Sequence, residues 1–337
     1  MTYMTNTAKI KETAIAITWG DPAGIGPEVV IKSFLGLPAA LQKRITVFGD
    51  LSHFSSLARR MRSSLKIVDA KKCAATAGAM AVYDSASFPF DPSRYGKISK
   101  TSGRAAMQPL EAAIALMLEG RFAALVTAPI NKEAVNLAGY RIAGHTEFLA
   151  AKCGGAPVAM MLASRKLKVV VATTHVPLSD VAGLLDKRKL ADFILLVARG
   201  TKKYGIASPR IAVCGLNPHA SDGGIFGREE ASIISPAIHA ARKAGVNATG
   251  PHPADTMFTA AARKNYDVAI AMYHDQGLIP VKALSFGETV NVTLGLPFLR
   301  VSVDHGTAFD IAGKGVADWR PMAYAIRTAA RMNRGRF

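Results

Sequence analysis

Short apolar runs alternate with longer amphipathic stretches along this chain. The runs TAIAIT, ITVFG, AALVTAP, PVAMMLA, KVVVATT, RIAVCGLN and DVAIAMY carry few or no charges and are rich in Val, Ile and Ala. That is the pattern of strands buried on both faces. Between them lie EVVIKSFLG, HFSSLARRM, RAAMQPLEAAIALMLEG, NKEAVNLAG, RKLADFILLVARGTKKYG and REEASIISPAIHAARKAG, with apolar residues at helical spacing and several closing on glycine. VNVTLGLPFLRVSV adds one or two strands, and PMAYAIRTAARM closes the chain as a helix. Strand–helix alternation predicts an α/β fold with mostly parallel sheets covered on both faces. In such sheets ligands collect at the carboxyl ends of the strands.

That rule singles out three histidines. His175 follows KVVVATT, His219 follows RIAVCGLNP and His274 follows DVAIAMY, so each stands just past a buried strand. They are 44 and 55 residues apart, too far for a local metal motif. Three neutral imidazoles suit a divalent metal with coordination positions left open for substrate. Separate hydrogen-bonded histidines at loop starts would give the same pattern, and residue context leaves both readings open. Asp255 and Asp275 are candidates to orient a ligand or take a proton, and Asp255 equally fits a helix N-cap. Gly277 reads as the point where the chain turns away after His274. In AGHTEFLAAK, His145 and Thr146 precede a helical run, with Thr146 a candidate N-cap and the helix start an anion site. Lys282, Asn291 and Arg300 recur at nine-residue intervals; the two cations could clamp a phosphate or serve as ordinary surface charge.

Two stretches are rich in glycine. WGDPAGIGPEV has Gly24-x-Gly26 after a strand, but Val29 occupies the third position of a dinucleotide fingerprint and Pro27 intrudes. It reads as a tight strand-to-helix turn. DHGTAFDIAGKGVADW, residues 304–319, reads as a loop that lets a ligand approach the backbone closely.

Composition narrows the function classes. The 337 residues suffice for two domains, and half are apolar. Cys73, Cys153 and Cys214 form no CxxC and no even disulfide set, which fits reduced thiols in a cytoplasm. The N-terminus lacks a signal-peptide pattern, and no run reaches the roughly 20 apolar residues of a membrane span. The formal charge of +18 invites nucleic acid as a partner, but the basic residues are dispersed without aromatic interleaving. A solvated basic surface that attracts anionic substrates accounts for them better, and no nucleic-acid or membrane partner is expected.

The motifs GDPAGIGPE, AGHTEFLA, ATTHVPL, CGLNPHA, GREE, PADT, MYHDQG, NVTLGLPF and VDHGTAFDIAGKG, in this order, resemble the 4-hydroxythreonine-4-phosphate dehydrogenase family of vitamin B6 biosynthesis. The resemblance spans about residues 14–330. It implies two α/β/α domains like those of isocitrate and isopropylmalate dehydrogenases, with an active-site cleft between them. The first would comprise residues 1–140 and 307–337, and the second residues 141–306. It implies NAD, with NADP possible, and one divalent metal (Zn, Co, Mn or Mg) held by His175, His219 and His274 at a homodimer interface to which both subunits contribute. It makes His145, Thr146, Lys282, Asn291 and Arg300 substrate contacts, with Asp255, His274 and Lys282 as catalytic positions. It places the nucleotide at His305, Gly306, Thr307, Ala308, Asp310 and Asp318. The implied reaction oxidises a small phosphorylated hydroxy-amino acid, 4-phosphooxy-L-threonine. The product is 2-amino-3-oxo-4-(phosphonooxy)butanoate, which loses carbon dioxide to give 3-amino-2-oxopropyl phosphate. Relatives acting on 4-phospho-D-threonate, 4-phospho-D-erythronate or a cis-dihydrodiol would keep the same metal trio. Trp19 departs from the smaller residue usual before GDPAG, and residues 70–103 carry no distinctive motif.

Overall fold

The computed structural model describes residues 14–87, 89–142 and 144–336. Twelve strands follow the chain: β1 Ile15–Thr18, β2 Ile45–Gly49, β3 Lys66–Asp69, β4 Ala79–Asp84, β5 Ala124–Thr127, β6 Ala159–Ala163, β7 Lys168–Val171, β8 Ile211–Cys214, β9 Ala248–His252, β10 Val268–Ala271, β11 Val290–Leu294 and β12 Leu299–Val303. The chain divides into two compact units. One runs to Cys153 and resumes over Pro297–Asn333; the other is Gly154–Leu296 with the residues from Arg334 on.

In the first unit the strand order is β3-β4-β2-β1-β5-β12, every pair parallel. Ile15, Ile17, Val47, Leu125 and Val301 are fully buried, as continuous apolar runs require when helices cover both faces. The helix Lys100–Leu118 tolerates Pro109 in its interior and starts on Ser99, whose side chain accepts from the Ser102 N–H. The C-terminal helix Arg320–Met332 lies on β12 and β5. Trp19, the departure noted above, is buried, and its indole N–H donates to the Ala105 carbonyl at 2.9 Å.

In the second unit β11, β6 and β7 pair antiparallel, and β7, β10, β8 and β9 continue parallel. The helix His274–Ser285 follows β10 directly and packs on β7. Leu278 and Val281 join Val169, Val171, Ala269 and Ala271 in the core. Gly277 lies inside this helix, so the chain does not turn away there. Its missing side chain is what the packing needs: a Cβ would stand 2.7 Å from Val169 Cγ1 and 3.0 Å from Val171 Cγ1.

The unit boundaries fall at 153 and 296, whereas the sequence placed them at 140 and 306. The helix His145–Lys152 is tied to the first unit by Lys152–Glu111, 2.9 Å, and by Tyr140 edge-on to Phe148. β12 pairs with β5 in the same unit. His145, Thr146 and Arg300 therefore belong to the first unit, and Lys282 and Asn291 to the second.

Candidate active site

The strand ends deliver two of the three histidines to one place. β7 and β10 are parallel neighbours, and His175 and His274 follow their carboxyl ends with ring centroids 5.5 Å apart. They line a cavity of about 250 Å³ with Thr174, Val176, Leu178, Val181, Tyr273 and Asp275. The Asp275 carboxylate lies 2.7 Å from His274 Nδ1. A carboxylate accepts, so Nδ1 carries the proton and Nε2 presents its lone pair, the orientation used in carboxylate–histidine metal sites. Gln276 fixes the turn by accepting from the Met272 N–H at 2.7 Å and donating to the Gly215 carbonyl at 2.8 Å.

His219 does not join this pair: among the described residues no group of three His, Cys, Asp or Glu side chains within the chain could hold a metal. It stands exposed in a loop where His219, Ala220, Ser221 and Asp222 all have positive φ, between 43° and 76°. Each such non-glycine residue costs on the order of 1 kcal/mol, so the surrounding structure must hold the loop. Glu230, buried, accepts from the Leu216 and Asn217 N–H groups at 2.8 Å each and from Asn217 Nδ2 at 2.9 Å. Glu229 accepts a further bond from Asn217 Nδ2 at 2.8 Å. The GREE motif thus holds the His219 loop, a role its sequence gave no sign of.

In the first unit Arg300 on β12 is buried and donates to Thr127 Oγ1 at 2.8 Å. Burial draws its pKa down to about 10, while the Glu147 carboxylate works the other way; it remains a cation at neutral pH. His145 is held well below its usual 6.5, first by burial and then by the Arg300 charge, so it is neutral. Its Nε2 is buried with no hydrogen-bond partner, as is Asn291 Oδ1 in the second unit. Buried polar atoms left open at predicted substrate positions are what a ligand would satisfy. Thr146 lies within the helix His145–Lys152, whose N-cap is Gly144; it is not a cap, because the helix begins two residues earlier than the sequence suggested. Asp255 is likewise no N-cap: it is an exposed residue in the first turn of Ala254–Met257, after Pro253. Lys282 is half-buried on the helix His274–Ser285.

The loop of the predicted nucleotide residues rests on the GDPAGIGPE segment. The Ile25 N–H donates to the Thr307 carbonyl at 2.9 Å. Lys32 Nζ donates to the Gly315 and Ala317 carbonyls, and buried Glu28 accepts from the Ala317 N–H at 2.8 Å and from Lys32 at 2.7 Å. Gly313 is pressed against the Tyr95 ring. Ala308 is left-handed at φ 43°, and His305 Nε2 is buried without a partner. Gly306 and Asp310 are exposed, and Asp318 is bound by Arg320, Oδ2 to Nη2 at 2.8 Å. Glu28, Lys32, Glu230 and Gln276 were not singled out from sequence; each acts by holding a loop.

Parallel strands carrying histidines at their carboxyl ends, buried open polar atoms and a glycine-rich loop held on a fixed bed are the features of a ligand-binding α/β enzyme. Residues 41–329 match the family described as pyridoxal phosphate biosynthetic protein PdxA. A 4-hydroxythreonine-4-phosphate dehydrogenase of Beijerinckia indica is 44% identical over 321 residues, 94% of each chain. A D-threonate 4-phosphate dehydrogenase of Cupriavidus necator is 42% identical over 94% of this chain and 96% of its own. The crystal structure of 4-hydroxythreonine-4-phosphate dehydrogenase from Klebsiella pneumoniae has a TM-score of 0.87 at 41% identity, covering 97% of this chain and 99% of that one. A β-decarboxylating dehydrogenase from Thermococcus kodakarensis, 15% identical with a TM-score of 0.51, shares the fold. The chain belongs to the PdxA family and is an oxidoreductase. Among the described residues no helix is long and apolar enough to cross a membrane.

Proposed function

We propose that the chain oxidises 4-phosphooxy-L-threonine with NAD and a divalent metal. The product would be 2-amino-3-oxo-4-(phosphonooxy)butanoate, which decarboxylates to 3-amino-2-oxopropyl phosphate. The observation that carries this is the His175–His274 pair at the ends of adjacent strands, with Asp275 orienting His274. Two imidazoles so placed, with His219 as third ligand, suit zinc, cobalt or manganese, and magnesium only with waters completing its shell. Because His219 stands apart within one chain, the third imidazole would come from a second copy. The exposed Val176, Leu178, Ile225 and Phe226 near these histidines in sequence support a homodimer interface that shares the metal. The metal, when bound, supplies Lewis acidity to the substrate hydroxyl.

The remaining work falls to the chain. Buried Arg300 and half-buried Lys282 would offset the substrate phosphate, and Arg300, already desolvated, needs little reorganisation. Neutral His145 offers Nε2 to a substrate hydroxyl or amine and, with Thr146, sets orientation; Asn291 Oδ1 is an open acceptor for a substrate donor. Asp255, exposed and in the first turn of its helix, is the candidate proton acceptor. His305, Gly306, Thr307, Ala308 and Asp310 would hold NAD, the open His305 Nε2 and the left-handed Ala308 being the features that fit a close-lying ligand. Arg320 offsets the Asp318 charge that would otherwise repel a 2′-phosphate, which leaves NADP as an alternative carrier.

A second substrate, D-threonate 4-phosphate, is supported by the relative at 42% identity. The test follows NADH formation from both compounds with untreated, chelator-stripped and metal-restored enzyme. Activity on 4-phosphooxy-L-threonine that vanishes on stripping and returns with metal supports the proposal. Activity on D-threonate 4-phosphate alone replaces the substrate, and activity indifferent to stripping removes the metal.

A further inference from the structure

The three strands that end in histidines begin in a second cluster of charge. Lys168 opens β7, Arg210 immediately precedes β8, and Asp267 immediately precedes β10. Around these amino ends lies a concavity of about 260 Å³ lined by Arg165, Lys166, Lys168, Arg210, Arg263 and Lys264, with Asp267 the one acid. Six cations against one carboxylate leave a net charge of +5 on the lining. Asp267 is consumed locally, since Arg210 binds it through Nη2 and Nε at 3.0 and 3.1 Å.

Backbone carbonyls aim two of the guanidinium groups. Arg263 donates from Nε to Phe258 and from Nη1 to Lys166, both at 3.1 Å, and Arg210 donates from Nη1 to Lys264 at 3.0 Å. Lys166 reaches the Leu284 carbonyl at 3.1 Å. Carbonyl contacts therefore explain why these three are present. They do not explain Arg165 and Lys264, exposed cations for which the lining offers no second acid. Like charges gathered round one hollow repel one another, and an anion in it would relieve that repulsion.

The geometry points to a second anion site here, at the edge of the sheet opposite to the histidine pair, for a small phosphoryl compound. Arg210 and Arg263 are held in place by Asp267 and by backbone carbonyls and add fixed positive charge, while exposed Arg165 and Lys264 are the cations that would meet the phosphoryl oxygens. The volume lies below the roughly 300 Å³ at which ordinary ligand pockets begin. A hollow of this size suits one or two phosphoryl groups. This assignment is independent of the substrate reading and absorbs part of the +18 charge that the reaction does not require.

The probe is inorganic pyrophosphate, titrated calorimetrically into the full-length protein at low salt. The comparison proteins are the double variant Arg165→Glu/Lys264→Glu and, separately, Arg300→Met. Two classes of site are expected in the parent. The double variant should lose one class, with affinity at least about tenfold weaker, and turnover at saturating substrate should be unchanged. Arg300→Met should keep that class. Pyrophosphate binding within twofold of the parent in the double variant overturns the site. A short DNA duplex that binds more tightly than pyrophosphate through the same two residues also overturns it, in favour of a nucleic-acid surface.

Discussion

Glu28 offers the sharpest test of how the glycine-rich loop is held. Its carboxylate, 4% exposed, accepts from Lys32 Nζ and the Ala317 N–H on the same oxygen. Lys32 in turn bonds the carbonyls of Gly315 and Ala317 at 2.8 and 3.1 Å. The pair therefore makes three hydrogen bonds to the backbone of residues 315–317. Glu28→Gln keeps an acceptor but removes the charge. A hydrogen bond to a charged group contributes about 1.5–3 kcal/mol and a neutral one about 1, so the loss should be roughly 1–2 kcal/mol. Glu28→Ala leaves a buried N–H unpaired and a cation without its partner, which should cost about 3–5 kcal/mol. Urea unfolding followed by tryptophan fluorescence reads this cleanly. Both tryptophans, Trp19 and Trp319, lie in the first unit, and Trp319 packs on Gly36 at the end of the helix that carries Glu28. The loop also carries the proposed nucleotide contacts, so the KM for NAD should rise in both variants while kcat at saturation holds. Equal costs for Gln and Ala, or a cost below about 1 kcal/mol for Ala, would refute the reasoning.

Four further outcomes are expected. His219→Ala should abolish turnover and metal binding together while the circular dichroism spectrum is retained; full activity would remove His219 from the metal site. Buried Asp21 is held at about 6, chiefly by burial, so its protonated form is favoured below 3.8 and that advantage is lost as pH rises through 6. Asp21→Asn should accordingly stabilise the first unit by up to about 3 kcal/mol at pH 8 and by nothing near pH 3.5, read from urea midpoints at the two pH values. Buried His53 is pushed down to about 4 by burial, with Asp50 opposing, so stability present above 6.5 is lost as pH falls toward 4. His53→Gln should flatten part of that acid slope, by about 3 kcal/mol at most because His145 shifts in the same direction; an unchanged slope would exclude His53. Gly277→Ala gains up to about 1 kcal/mol of helix propensity but forces a methyl to 2.7 Å from Val169 Cγ1, so overpacking of about 1–3 kcal/mol should win and thermal stability should fall.

The sequence was most legible where strands are buried on both faces. β8 and β10 are four-residue apolar runs and β7 is three valines after Lys168, and the histidines beyond them were visible because no charged residue stands between strand and histidine. β3 and β4 went unread because β3, KIVD, is only half-buried and its charged ends hide the period. β9, ATGPH, breaks the pattern with Gly250 and Pro251, yet pairs with β8 across a register shift. The helix His274–Ser285 was hidden by Gly277 and Pro280, both of which argue against a helix locally while tertiary packing on β7 overrides them. The site was legible as a set of residue types but not as an arrangement. Spacing gave no hint that His219 stands away from the other two histidines, because the left-handed turn that carries it is built by Glu230, eleven residues later.

The glycines of GDPAGIGPE show why a fingerprint must be judged by what the glycine faces. In a dinucleotide fold the second glycine clears space for a pyrophosphate. Here a Cβ on Gly24 would fall 2.6 Å from the Thr307 carbonyl oxygen, and one on Gly26 would fall 2.0 Å from that of Trp19. Both glycines serve the approach of backbone to backbone. Gly24 and Ile25 hold Thr307, Tyr95 meets Gly313, and Lys32 with Glu28 holds residues 315–317. The loop is thus fixed at three points by protein contacts alone. A loop fixed in this way loses little further freedom when a ligand binds, so the ordering cost of binding is met during folding. The missing third glycine at Val29 then has a plain cause: Val29 is fully buried on the helix that carries Glu28 and Lys32, and that position packs the core of the first unit.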